Sequence, residues 1–599
     1  MALEPILFHK GLNGEARSCL TPPGHLRRAQ NISFEVDGTQ ALRPRFESVN
    51  VTALDAIHST KNFKSALFTG SAGLLSGNHG LGDFTSLFYS SASLTKPWFW
   101  STYKDFLMGV DQTDFILCDT DLNVYNARID NPTTSPSGSA GAAGNPNGHY
   151  FLYVSYLITF PNGHMYETGL SPVSADVSVI NQIVSWTNIP ICPYIVLHGV
   201  VPSIHRRLYR GPGTGGTIAD IYYVATITDN STTTYSDDLS DVALQASDVC
   251  YVDLYAPPPI SKYVAAHYGR LYMIPYVNSH RLWYTEAAAS LEQLENEALM
   301  PLAVQDTNWD DLRTAGFDEL DPQGLVPWGV NLYIPLKDTW IRKQGNTPST
   351  WSFKKTYASS GIGAPNTIAI SSNPIGIVGL TNPVMGRPNL AIFTGQESQV
   401  FSSPKLDYIL HRDIDLTLIS QCYGRMSGPY YILIYPSIDG TNKVLGIDFR
   451  RFPDIRVAYW TNLYGQSMDA DSHGIHTYFG GSDGIVRVDS DHEEVDVLIE
   501  SEDFIGGVKE GANILKTYNQ LKYSLKGSVT MEVYVDDVLM QWSDGSTSIV
   551  LTGTGEEIQL TPNFPQDCEG YRFRLVLTGS DLTELEIYSP WSLIYDPKM

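Results

Sequence analysis

Short runs of aromatic and β-branched residues, each closed off by Gly, Pro, Asn or Asp, recur along most of this chain and restrict it to stacked β-hairpins. WFWSTY at 98–103 is followed by FLMGV at 106–110, YVAAHYGRLYM at 263–273 by RLWY at 281–284, and YYILIY at 430–435 by KVLGIDF at 443–449. Such runs suit single strands and are too short for helices that bury a face of their own. Sets of paired runs return at roughly 35 to 50 residues, the period of propeller blades. The expected fold class is all-β, a β-propeller of six or seven blades. With 599 residues, 43% of them hydrophobic, the chain is too long for one ordinary core and predicts about three or four domains.

The rhythm changes at defined places. Residues 1–130 read as an N-terminal hairpin and the first blades. Residues 131–148, NPTTSPSGSAGAAGNPNG, form a low-complexity segment expected to be a flexible linker. Residues 149–250 pack six or seven strand runs around Trp186, which suits a small inserted sandwich. The propeller pattern then resumes over 251–500. In 501–599, VTMEVYV at 529–535 and YRFRLVL at 571–577 largely alternate with period two, as in a β-sandwich with one buried face. One helix is expected, in TEAAASLEQLENEALM at 285–300.

The stretch at 20–46, LTPPGHLRRAQNISFEVDGTQALRPRF, carries a separate signal. A Pro-Gly turn leads into an arginine-flanked strand, and Asp37-Gly38 marks a hairpin turn. The return strand ends at Arg43-Pro44-Arg45. This arrangement resembles the opening of the tail tubular protein B, or nozzle, family of short-tailed bacteriophages. The segment at 150–241, with YFLYVSYLIT, HRRLYR and IYYVATI, resembles the fibronectin type III-like modules inserted in phage tail proteins. The resemblance implies a structural role without enzymatic activity in the virion tail, assembled in the host cytoplasm. Six copies would form a ring below the adaptor and portal, continue the DNA channel, contact fibres or spikes, meet the host envelope at the tail tip, and retain and then release the genome. Arg27, Arg28, Arg43 and Arg45 form a local basic excess on a chain of net charge -25, which predicts charge-to-charge docking on an acidic neighbouring subunit or the adaptor.

Other chemistries find little support. An acidic balance of 64 Asp and Glu against 39 Lys and Arg argues against tight nucleic-acid binding, although an acidic wall would let DNA slide past. Gly480–Gly484 spells the G-x-S-x-G string of hydrolases, but it joins two strand runs rather than a strand and a helix. Asp469, Asp471 and Gly474 partly imitate a calcium loop, with His473 in place of an oxygen ligand and Gly480 where the closing Glu belongs. Gly211–Gly216 lacks the lysine and following helix of a phosphate loop. Six scattered cysteines have no C-x-x-C pair and are expected as buried thiols. No catalytic residue, metal site or cofactor is therefore expected. No apolar run approaches a bilayer-spanning length and no signal peptide is visible, so a soluble chain is expected. The competing expectation is a virion-associated propeller enzyme or binder acting on host-surface glycans, which needs a pocket with polar groups and aromatics.

Overall fold

The computed structural model describes residues 2–6, 26–34, 39–50, 59–63, 66–70, 73–78, 85–89, 97–194, 196–213, 220–252, 255–285, 304–305, 307–317, 319–383, 387–401, 404–453, 455–461, 467–470, 477–481, 484–490, 495–505, 514–565 and 568–598. Seven antiparallel sheets follow one another along the chain, at 59–89, 99–126, 261–311, 326–355, 369–400, 423–460 and 467–490. Six contribute at least four strands of their own. The seventh has three, and its fourth is Arg45–Asn50, which pairs antiparallel with Gly484–Ser490.

The first strands of these sheets form an inner ring. Phe99–Tyr103 lies against Ser261–His267, which lies against Val326–Trp328. Ala369–Ser372 lies against Tyr423–Ser427, that strand against Ser467–Ala470, and that one against Ser59–Phe63. Phe63 joins the first sheet to Trp98 and Leu107 of the second. Trp340 of the fourth stacks on Phe393 of the fifth, with centroids 4.3 Å apart. The protein is a seven-bladed propeller within the six-or-seven expectation. Tyr430–Pro436 is buried at every position because neighbouring blades cover both faces of its sheet.

Residues 131–148 are not a flexible linker. Ser137–Ala143 is a strand that pairs with Gln182–Thr187 and so belongs to the inserted sandwich. Its small residues serve packing: a Cβ on Gly138 would sit 2.4 Å from the Trp186 ring, and one on Gly141 2.7 Å from Ser185 Oγ. The three-stranded sheet of Ser137–Ala143, Gln182–Thr187 and Tyr235–Asp237 faces a four-stranded sheet of Met165–Glu167, Leu152–Thr159, Ser203–Arg210 and Tyr222–Ile227. Val154, Val184, Trp186 and Leu208 fill the space between them.

The inserted sandwich is fastened to the propeller. Phe106, Met108 and Tyr125 of the second blade, Leu271 and Met273 of the third, and Tyr156, Ile158 and Phe160 of the insert share one apolar cluster. Phe160 sits edge-on to Phe106 at 5.2 Å and tilted on Tyr125 at 4.9 Å. Val196–His198 also extends the second blade as a fifth strand.

The last module begins before residue 501 and takes in the start of the chain. Lys516–Val535, a 20-residue strand, pairs with Ser548–Leu560, Phe573–Leu582, Leu585–Ile587 and Trp591–Pro597. One strand can serve so many partners because it bends at Gly527 (φ 99°), where a Cβ would meet Glu584 O at 2.5 Å. Val495–Ser501 pairs with Phe573–Leu582 on one side and with Leu26–Gln30 on the other. Ala2–Ile6 pairs with Trp591–Pro597. The N-terminal hairpin expected to lead into the first blades thus belongs to the C-terminal module. Its pairing is as expected, with Ile32 opposite Leu42 and Phe34 opposite Gln40. Its Asp37-Gly38 turn, the Pro22–Gly24 turn and, beyond Thr285, the helix expected at 285–300 lie outside the described residues.

Candidate functional site

The four arginines expected to form an assembly contact occupy different environments. Arg43 is 1% exposed and donates from Nε to Asn31 Oδ1 (3.0 Å), from NH1 to Pro44 O (3.0 Å) and from NH2 to Thr461 O (3.1 Å). It is an internal tie and offers no docking surface. Asn31 completes the tie from a left-handed backbone position (φ 56°): its side-chain N–H groups reach Thr461 Oγ1 and Asp496 O, and its Oδ1 also accepts from Thr461 N. That backbone turn divides the expected arginine-flanked strand into Leu26–Gln30 and Ile32–Phe34.

Arg27 and Arg28 do meet acids, but on their own chain. Arg27 NH1 lies 3.1 Å from Glu500 Oε1 and 3.6 Å from Asp503 Oδ1, and Arg28 Nε lies 3.1 Å from Glu500 Oε2. Arg574 Nε approaches Glu500 Oε1 at 3.4 Å and Arg572 NH1 approaches Asp503 Oδ2 at 3.7 Å. Glu500 and Asp503 are buried side chains, 9% and 3% exposed, so the arginines cover the end of the acidic run at 489–503. Arg28 remains 66% exposed. Arg45 begins the strand that completes the seventh blade, opposite Ser490, and the contact expected of its side chain lies outside the described residues.

The residues with ligand-binding geometry lie on the propeller axis. A cavity of about 580 Å³ is lined by the inner strands of all seven blades: Thr60 and Lys61, Trp98 to Trp100, Tyr263, Val326, Ala369, Arg425 and Asp469 mark its circumference. Asp469 holds two cations beside each other, Lys61 Nζ at 2.9 Å from Oδ2 and Arg425 Nε at 3.7 Å from Oδ1. Arg425 NH1 donates to the carbonyls of Asn366, Ile368 and Gly424 at 2.9–3.0 Å. Thr60 Oγ1 and Ser467 Oγ share a hydrogen bond of 2.6 Å across the join between the seventh and first blades. Trp98 and Trp100 stack with centroids 5.3 Å apart. Burial pushes the Tyr263 phenol well above its usual range, so it stays protonated.

A second polar cluster lies inside the insert, where Glu167 accepts from Ser155 Oγ (2.6 Å), Tyr209 OH (2.6 Å), Arg207 NH1 (2.8 Å) and Tyr251 OH. All four donors converge on one buried carboxylate, which makes it a structural tie. The G-x-S-x-G string connects two paired strands, Thr477–Gly481 and Gly484–Ser490, with Ser482 itself outside the described residues. Asp469 of the calcium-like string is engaged by Lys61 and Arg425, Gly480 lies in the strand Thr477–Gly481, and Asp471, His473 and Gly474 lie outside the described residues. Among the described residues no group of three His, Cys, Asp or Glu side chains could hold a metal ion, the five described cysteines are free and buried, and no helix is long and apolar enough to cross a membrane.

No protein-family model and no curated protein matches the chain. Solved structures align over much of it with low similarity. U3-55K aligns at 8% identity and a TM-score of 0.31, covering 75% of this chain and all of its own. The extracellular domain of the hybrid two-component system BT4673 from B. thetaiotaomicron aligns at 11% identity and 0.27, covering 98% and 96%. BamB from Moraxella catarrhalis aligns at 10% identity and 0.25, covering 77% and 95%. At these scores the likenesses decide neither fold nor function.

Sequence reasoning singled out Asp469 for a different chemistry and missed Lys61 and Arg425 altogether. Each stands alone in its own blade, and only closure of the ring brings the three together. The WFW run at 98–100 was the one visible sign of an aromatic wall.

Proposed function

We propose that this chain is a structural, ring-forming tail component of the short-tailed phage nozzle kind. The observation that carries the reading is the way two sandwiches are fixed to the propeller. The insert packs on the second and third blades, while the C-terminal module joins the sixth and seventh, nearly across the ring. Apolar packing and shared strands tie each to the propeller, which stiffens the protomer. Stiff protomers suit side-by-side packing around a closed axis, with loops supplying the interfaces.

In this reading DNA runs along the axis of the hexamer and not through the propeller. A cavity of about 580 Å³ is the size of a small-molecule pocket. The net charge of -25 suits a wall that repels phosphate and lets a duplex slide. The adaptor would sit above the ring, fibres or spikes around it and the host envelope below. The test is co-expression with the adaptor followed by mass photometry and electron microscopy of virions. Six copies of a 66.2 kDa chain give a ring of about 400 kDa on the tail axis. Density for this chain anywhere off that axis overturns the reading. The glycan-directed alternative has one observation in its favour, the axial cavity.

A further inference from the structure

The axial cavity has more hydrogen-bond donors than the protein uses. Among the described residues Lys61 has Asp469 as its one side-chain partner, which leaves donor capacity on its ammonium. Arg425 commits NH1 to three carbonyls and Nε to Asp469, and its NH2 has no partner among the described residues. The Trp100 indole N–H also lacks a partner among the described residues. Two cations face one carboxylate, so the wall carries a net positive charge on a chain whose balance is strongly acidic. A buried or half-buried donor without an acceptor is costly, and a ligand rich in acceptors relieves that cost.

We infer that this cavity binds a small carboxylate-bearing sugar, of the hexuronic acid class. The carboxylate would lie against Lys61 and the free end of Arg425, where a charge-assisted contact is strongest. A bare carboxylate would leave most of the 580 Å³ empty, whereas a sugar ring fills it and meets an apolar wall of Trp98, Trp100 and Pro327. Asn366, Gln323 and Thr60 supply polar atoms for ring hydroxyls. Asp469 disfavours a second negative charge and holds the two cations in position, so the site selects singly charged ligands. The inference stands apart from the nozzle reading: a tail ring with or without a sugar in its propellers is still a ring.

Isothermal titration of the full chain with glucuronate tests it, with glucose as the neutral analogue of the same ring and inorganic phosphate as an anion without a ring. Glucuronate is expected to bind with a dissociation constant of about 1 mM or tighter, and glucose and phosphate at least tenfold more weakly. Lys61→Gln is expected to weaken glucuronate at least tenfold and leave the near-ultraviolet circular dichroism unchanged. Asp469→Asn, which removes the competing negative charge but keeps an acceptor oxygen to position the cations, is expected to tighten glucuronate, and it supplies the test should Lys61→Gln fail to fold. Absence of saturable glucuronate binding, equal binding of glucose or phosphate, an unchanged affinity in folded Lys61→Gln, or weaker binding by Asp469→Asn would each overturn the inference.

Discussion

The insert and the C-terminal module are both attached to the propeller by apolar packing and shared strands, yet their most specific contacts differ. The insert is held mainly by aromatic packing, with Phe160 set against both Phe106 and Tyr125 of the second blade. The C-terminal module is laced in by backbone: Leu26–Gln30 pairs with Val495–Ser501 and reaches Tyr459 of the sixth blade, and Arg43 and Asn31 seal the join with buried hydrogen bonds. A seam of packed rings tolerates small slides and fails when volume is lost. A seam of buried polar atoms tolerates neither, because each lost partner leaves a group unsatisfied.

Substitutions should separate the two seams. Phe160→Ala is expected to have the largest effect, about 3–5 kcal/mol, from lost burial and the cavity left behind. Calorimetry should then show the insert melting ahead of the propeller. A single unsplit transition at the wild-type temperature would mean that the aromatic seam does not hold the insert. Arg43→Ala is expected to cost about 3 kcal/mol in urea unfolding, since Pro44 O, Thr461 O and Asn31 Oδ1 each lose a hydrogen bond and Asn31 Oδ1 keeps only the one from Thr461 N. A loss below about 1 kcal/mol would show that the lacing of backbone strands suffices without the polar tie.

A smaller effect is expected at the join of the third and fourth blades, outside both seams. Burial, assisted by Arg270, holds the Lys343 ammonium at about 8 although Asp310 acts in the opposite direction. Its folded value lies below its unfolded one, so the unfolded chain binds the extra proton between about 8 and 10.5 and stability gained from this group rises with pH in that window. Lys343→Met should abolish that rise, measured as the difference in Tm between pH 8 and 9.5 for the two proteins. Parallel pH dependence in both would show that Lys343, whose ammonium lies 3.8 Å from the Trp351 ring centroid, stays charged there. The smallest effect belongs to Arg28→Ala, at most about 1 kcal/mol and reduced by salt, because the side chain is mostly exposed. A loss as large as that of Arg43→Ala would make the ionic cover over Glu500 a third kind of seam.

Blade strands were legible because each carries its own apolar run and turn. Partner choice was not, wherever partners lie far apart in the chain. Nothing in RPRF announces that its last residues complete a sheet begun at residue 467, or that Arg43 faces inward while Arg28 faces water. The glycine-rich segment at 137–143 misled for a related reason. Its composition looks like a linker, but the small residues are there because Trp186 occupies the space their side chains would need. The axial cavity was hidden for the same reason as its residues, which come from seven separate stretches of sequence.

The seventh blade also sets a timetable. Arg45–Asn50 leaves the ribosome some 430 residues before the strand it pairs with. At roughly 5–20 residues per second that interval is roughly 20 to 90 s. Throughout it, a strand with two open edges waits beside a growing row of unclosed blades. Any copy of the chain made nearby offers the same vacant place, so crowding on one messenger would invite one molecule's strand into another's ring.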